Sequence, residues 1–210
     1  MRKTPIAYVS VCACLLVPSA ATASTITFDN LPATGCFPSS PVPAGYDGLS
    51  WSNFGYTNAT QFPCSFEGYG VVLTSSPNVG FNSVGADASI SDDIPFIPVS
   101  ADFAAAWNDG LTLTVTGKNG GVTVGIETLL LTTTTKNFMT FDFGPVTELD
   151  FSSSGGVENP SLVTFGHGTQ FGMDNLTITP VAVTTVPEPL SLLLLGTGLA
   201  VASVRLRRHW

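Results

Sequence analysis

The sequence predicts an all-β domain, a jelly-roll-like β-sandwich, with a signal helix before it and one transmembrane helix after it. Three observations lead there. Apolar and polar residues alternate with period two over most of the chain, Gly, Pro, Asn and Asp separate the alternating runs, and no window of comparable length repeats with a helical period. A chain of 210 residues holds one ordinary domain plus targeting segments.

The first element is "MRKTPIAYVSVCACLLVPSAATAS". Arg2 and Lys3 precede an apolar stretch from Ile6 to Val17, and small residues end in Ala21-Thr22-Ala23. That three-part order is a secretory signal peptide over residues 1–23, with cleavage expected before Ser24. Cys14 lacks the usual small-residue approach of an acylated lipoprotein cysteine, because Val11 and Cys12 precede it.

Residues 24–180 form the expected sandwich. "TITFDN" alternates around Ile26 and Phe28, and "LTLTVTG" sets Leu111, Leu113 and Val115 on one face against Thr112, Thr114 and Thr116 on the other. Further strands are expected in "YDGLSWSNF", "YGVVLTS", "VSADFAAAW", "GVTVGIETLLL", "FMTFDFG", "VTELDFSSS", "SLVTFG" and "FGMDNLTIT". "KNGG", before Val122, is expected to be a hairpin turn whose residues tolerate positive φ. About ten short strands around one core point to two sheets packed face to face, with the Thr, Ser and Asn faces toward water. "LPATGCFPSSPVP" carries too many prolines for a strand and reads as a surface loop.

Once the signal has left, Cys36 and Cys64 are the remaining cysteines. A pair in an exported domain predicts one disulfide tying the Pro-rich loop to "TQFPCSFEG". Between Ser24 and Thr185 there are fourteen acidic side chains and two lysines, Lys118 and Lys136, a net charge of −12. Such a surface repels polyanions, which excludes nucleic acid as a partner and leaves neutral glycans, cations or plain solubility.

Candidate chemistry is sparse. His167 sits between glycines in "FGHGTQ" and reads as a loop histidine, since nothing local supplies a nucleophile turn. Glycoside hydrolysis needs two carboxylates across a cleft, and the sequence singles out no such pair. Asp29 in "FDN" and Asp174 in "MDN" lie on the first and last strands, which in many sandwiches pair antiparallel. They are the candidate ligands of a structural Ca²⁺, against the alternative that each makes turn hydrogen bonds of its own. Asp92 and Asp93 in "SISDD" read as a solvated turn. Trp51, Tyr56 and Trp107 are the candidate sugar-binding platform, with the core as the competing place for such large rings.

The chain closes on Pro187-Glu188-Pro189, the uncharged run 190–204, and a basic end with Arg205, Arg207 and Arg208. As a helix the run rises about 22 Å, short of a hydrocarbon core of about 30 Å, so length alone suits a core helix. The arginines behind it and the signal peptide at the other end make it a transmembrane helix with a cytoplasmic tail at 205–210. These three parts, in this order, resemble the PEP-CTERM sorting family. The resemblance implies export in a Gram-negative bacterium and recognition by an exosortase of the motif joined to the domain by the linker 181–189. The protein would be held in the inner membrane before sorting to the cell surface or the extracellular matrix, where biofilm exopolysaccharide is a partner. "ITFDNLP", "YDGLSWSNF" and "FGMDNLTI" are similar to the β-sandwich bodies that often precede this tail, and carry no defined activity. The function expected is therefore non-enzymatic, with a carbohydrate-binding module as the alternative and a glycan-active hydrolase or lyase behind it.

Overall fold

The computed structural model describes residues 22–32 and 35–181. The signal segment up to residue 21, the sorting residues Pro187, Glu188, Pro189, Arg205, Arg207 and Arg208, and the run 190–204 lie outside the described residues. Among the described residues no helix is long and apolar enough to cross a membrane.

Eleven strands form: β1 (Ser24–Ile26), β2 (Ser40–Pro41), β3 (Ser50–Ser52), β4 (Phe54–Asn58), β5 (Asn78–Asn82), β6 (Ala88–Ala105), β7 (Asn108–Asn119), β8 (Val122–Leu131), β9 (Asn137–Thr140), β10 (Val146–Glu158) and β11 (Phe171–Pro180). Among the described residues one short α-helix, α1 (Gly68–Val72), and three single 3-10 turns accompany them. Every strand pairing is antiparallel.

The long β6, of 18 residues, belongs to both layers of a sandwich. Its first part pairs with β3 and β10, and β10 continues to β7 and β8. Its second part pairs with β11 and β9, and β11 continues to β5, β4 and β2, with β1 also on β11. Pro95 and Pro98, which donate no ladder hydrogen bond, lie where β6 changes partners. Between the layers, Phe151 of β10 meets Phe54 of β4 at 5.4 Å and Phe171 of β11 at 6.0 Å between ring centres.

Bulges keep apolar side chains in this core where strict alternation would turn them out. In β11 the inward residues change from Phe171 and Met173 to Leu176 and Ile178 across the shift after Asp174, where Asn175 takes φ 51°. In β10 they change from Val146 to Leu149 and Phe151 across the shift before Glu148. The "KNGG" turn forms as expected, with Gly120 and Gly121 at φ 56° and 81° between β7 and β8.

Three local expectations are corrected. "YGVVLTS" begins in α1 rather than a strand: a Cβ on Gly68 would lie 1.6 Å from the Ala105 carbonyl oxygen, and Gly68 N–H donates to Ala106 O at 3.1 Å. With the chain pressed against the end of β6, one helical turn buries Tyr69 and Val72 together, three residues apart. "SLVTFG" is a run of turns, closed by Leu162 N to Asn159 O and Phe165 N to Leu162 O, which leaves Leu162 buried. "SISDD" is part of β6, and "NVGFN", overlooked in the sequence, is the fully buried β5.

Candidate functional site

The layer containing β11 is covered on both faces. On its outer side Val79 and Phe81 of β5 and Ala104 beside Ala106 meet Tyr69, Val72, Trp107, Leu162 and the two cysteines in a second, smaller core. The alanines of "ADFAAAW" suit a strand pressed from both sides, where larger side chains would not fit.

The disulfide predicted from Cys36 and Cys64 is present, with 5.5 Å between the Cα atoms. Thr57 Oγ1 donates to Cys36 O at 2.7 Å, fixing the Pro-rich loop to β4. Beneath the bridge lies a cleft of about 170 Å³ lined by Cys36, Phe37, Thr57, Tyr69, Phe81 and Trp107, among others. Beyond the bridge, Phe62 and Phe66 are 66% and 70% exposed. Phe62 makes edge contacts with Phe66 at 5.8 Å and with the half-buried Phe165 at 5.4 Å. This aromatic end is what the loops, α1 and the disulfide jointly build.

Buried polar atoms gather beneath it. Neither oxygen of the fully buried Glu67 carboxylate has a hydrogen-bond partner among the described residues, and the same holds for Trp107 Nε1 and Gln170 Oε1. Burial pushes the Glu67 carboxyl above its ordinary pKa, with the Trp107 indole working against that rise. Tyr69 is pushed well above the usual phenol range by burial and by Glu67. A carboxylate oxygen of Glu67 and the sulfurs of Cys36 and Cys64 lie within 4.8 Å of one another. Because the sulfurs are bonded to each other, they offer no thiolate to a metal ion.

The expected sugar platform is corrected. Tyr56 and Trp107 are 4% and 5% exposed, and neither offers a face to a ligand in solution. Trp51 is half-buried against the main core, 5.5 Å from Phe28 and 5.3 Å from Phe54 between ring centres, and its Nε1 donates to Tyr46 O at 2.9 Å. Trp51 and Tyr56 sit on different strands, broken at Asn53 by φ 56°, so they share no exposed row. The most exposed rings among the described residues are phenylalanines: Phe62 and Phe66 beside Cys64, and Phe138 on β9. The sequence signal for the first two was their place beside a cysteine in a Pro-containing segment.

The calcium expectation meets a different geometry. β1 and β11 do pair, with Ile26 opposite Leu176. Asp174, however, is fully buried and uses both oxygens on protein donors. Oδ2 accepts from Thr74 N at 2.7 Å and Ser75 N at 2.8 Å, and Oδ1 from Ser75 Oγ at 3.0 Å and Asn175 N at 2.7 Å. A carboxylate has about four lone-pair positions, all taken here, so Asp174 does not fit a Ca²⁺ site. Asp29 Oδ1 accepts from Asn78 N at 3.0 Å. The two aspartates hold the segment that leads into β5, Asp174 at Thr74 and Ser75 and Asp29 at Asn78, the first residue of the strand.

Burial raises the Asp174 carboxyl from 3.8 to about 6, against the hydrogen bonds that oppose the rise. Thr74 Oγ1 also donates to Asp102 Oδ2 at 2.6 Å, and Lys136 Nζ reaches Thr74 Oγ1 at 2.6 Å. His167 is exposed in its loop. Asp92, Asp93 and Glu148 line a polar recess of about 330 Å³ with Ser50, Ser91 and Thr147.

No protein-family model matches the chain, and no curated protein does. Among solved structures, it is similar to a DUF4465 family protein from Bacteroides caccae at 15% identity and a TM-score of 0.52, over 76% of this chain and 100% of that one. A family 29 carbohydrate-binding module aligns more loosely, at 17% identity and a TM-score of 0.38, over 83% of this chain and 99% of that one. The first likeness is one of fold.

Proposed function

We propose that this chain is an exported, non-enzymatic protein of the cell surface or extracellular matrix, sorted by an exosortase through its C-terminal segment. The observation that carries the reading is the buried Cys36–Cys64 bridge between two irregular loops, since such bonds persist in oxidising compartments outside the cytoplasm. It agrees with the signal segment 1–23 and with the span and basic end that follow Pro187-Glu188-Pro189. In this reading the run 190–204 holds the protein in the inner membrane of a Gram-negative cell until the tail is processed, and the body is of jelly-roll type. Replacing Glu188 with Ala in a host that has the exosortase should leave the protein in the membrane fraction with its tail uncut. Unchanged processing and location would overturn the sorting role.

A second reading, binding of exopolysaccharide, is favoured by the exposed rings of Phe62 and Phe66 and the contacts of Phe62 with Phe66 and Phe165. Aromatic rings offer an apolar platform to the C–H face of a sugar, and the −12 body selects a neutral glycan over an acidic one. Phe62, Phe66 and Phe165 take the place in this reading that the sequence suggested for Trp51, Tyr56 and Trp107. Pull-down of the native chain with neutral and acidic exopolysaccharide tests it. Retention by the neutral polymer is expected, and equal retention by neither or by the acidic one alone would remove the reading.

A further inference from the structure

The outer strands of the sandwich are not alike. β2 has two residues, β3 three and β9 four, whereas β8 has ten. Exposed edges are ordinarily blunted by shortness, lysine, proline or a bulge, because their free backbone groups template pairing with another chain. β8 contains no lysine and no proline, and its single bulge lies at the turn end, where the register shifts between Gly117 and Lys118 and leaves Val124 as the extra residue. From Gly125 to Leu131 its pairing with β7 is regular, and among the described residues no strand lies on its other side.

Two outward side chains of that regular stretch, Ile126 and Leu130, are exposed and apolar, and Thr128 stands between them. Glu127 is the only charged residue of β8. On a body with fourteen acidic residues and two lysines, a ten-residue edge with one carboxylate brings little like charge against a second copy.

We propose that β8 is a homodimer edge, pairing antiparallel with β8 of a second copy about a two-fold axis at Thr128. That register sets Ile126 opposite the partner's Leu130, Thr128 opposite its own mate, Glu127 opposite the partner's Leu129 and Gly125 opposite the partner's Leu131. Apolar and Thr–Thr cross-strand pairs stabilise such a ladder. Centring the axis on Glu127 would put the two carboxylates face to face, and centring it on Ile126 would carry Thr128 into the bulge at Val124. The contact is isologous, so it closes as a dimer rather than growing into a fibre.

Cysteine cross-linking on cells producing the full chain tests this. Thr128→Cys stands on the axis, where opposed residues in an antiparallel pair lie about 4.5–5.5 Å apart, and mild oxidation with diamide should give a band of twice the mass on a non-reducing gel. Thr123→Cys, on the same strand but five residues off the axis, should give none. Adding Leu130→Lys to Thr128→Cys should abolish the doubled band, and its exposed position leaves the fold intact. A Thr128→Cys chain that stays monomeric, or links to a species of another mass, would overturn the proposal. So would equal cross-linking through Thr123→Cys, or a doubled band that survives Leu130→Lys.

Discussion

The sandwich contains two cores built on different terms. Between the layers, Phe54, Phe103, Phe151 and Phe171 interlock with aliphatic side chains from β1, β6, β7, β10 and β11, and β6, β7, β10 and β11 are each paired with two or more strands. Outside the β11 layer, the smaller core is closed by loops, one helical turn and a disulfide, and it leaves Glu67, Trp107 and Gln170 with unpartnered polar atoms. The first core is made by sheet geometry. The second is held by a covalent bond where the sheet offers no partner, whereas the buried polar side chains beside the first, such as Asn82 and Ser153, are hydrogen-bonded to each other.

The largest effect should come from the inter-layer core. Phe151→Ala removes a fully buried ring that touches Phe54, Phe103 and Phe171, and should destabilise the domain by about 4 kcal/mol, the range for buried Phe truncations. Denaturant unfolding reads this as one cooperative transition moved to lower midpoint. A change under about 1 kcal/mol would mean that the layers do not share one core. Next comes the disulfide. Opening a loop with a sequence separation of 28 by Cys36→Ser with Cys64→Ser should cost about 3 kcal/mol by loop entropy. If the smaller core is the separable one, limited proteolysis of that variant cuts first near Phe62 and Phe66, with the inter-layer strands still protected.

The same contrast decides what could be read from residues alone. The inter-layer core was legible because Leu111, Leu113 and Val115 alternate strictly, and because "KNGG" demands a turn with two positive φ values. The disulfide was legible by counting cysteines. The smaller core was not, since α1 presents Tyr69 and Val72 at helical spacing inside "YGVVL", a run too short and too apolar to tell a turn of helix from a strand. β5 was passed over because Gly80 interrupts "NVGFN". The bulge after Asp174 moves the inward parity from odd to even residues and hid what that carboxylate faces. Trp51, Tyr56 and Trp107 were singled out as large aromatics, yet burial depends on which loops fold over them. Phe62 and Phe66, chemically plainer, are among the rings that solvent reaches.

Asp174 joins the two cores, since β11 carries it to the loop at Thr74 and Ser75. In Asp174→Asn the amide nitrogen would face donors at two of the four positions, and the cost should be about 2 kcal/mol for buried donors left unpaired. The pH dependence has a definite sign. Folded Asp174 titrates at about 6 and the unfolded side chain near 3.8, so the native state holds its proton more tightly. Its contribution to stability is therefore full below about pH 4 and is lost as pH rises through about 6. Melting temperatures taken between pH 4 and 7 should show this fall in the parent chain and less of it in Asp174→Asn. Equal slopes would assign the titration to another group.

The smallest stability effect should come from the exposed rings, and there the second core parts from the first most clearly. Phe62→Ala and Phe66→Ala remove side chains that are mostly in water already, so each should change stability by about 0.5 kcal/mol or less. If the aromatic end serves a neutral glycan, the same substitutions should weaken retention on that polymer at least about tenfold, a loss of about 1.4 kcal/mol in binding. Trp107→Phe separates the cleft from the exposed rings, because the indole lines the cleft at 5% exposure and cannot itself stack on a polymer in solution. Retention that falls with Phe62→Ala but holds in Trp107→Phe places binding on the outer rings. The reverse outcome would count against the outer rings and point to the cleft that Cys36 and Trp107 line.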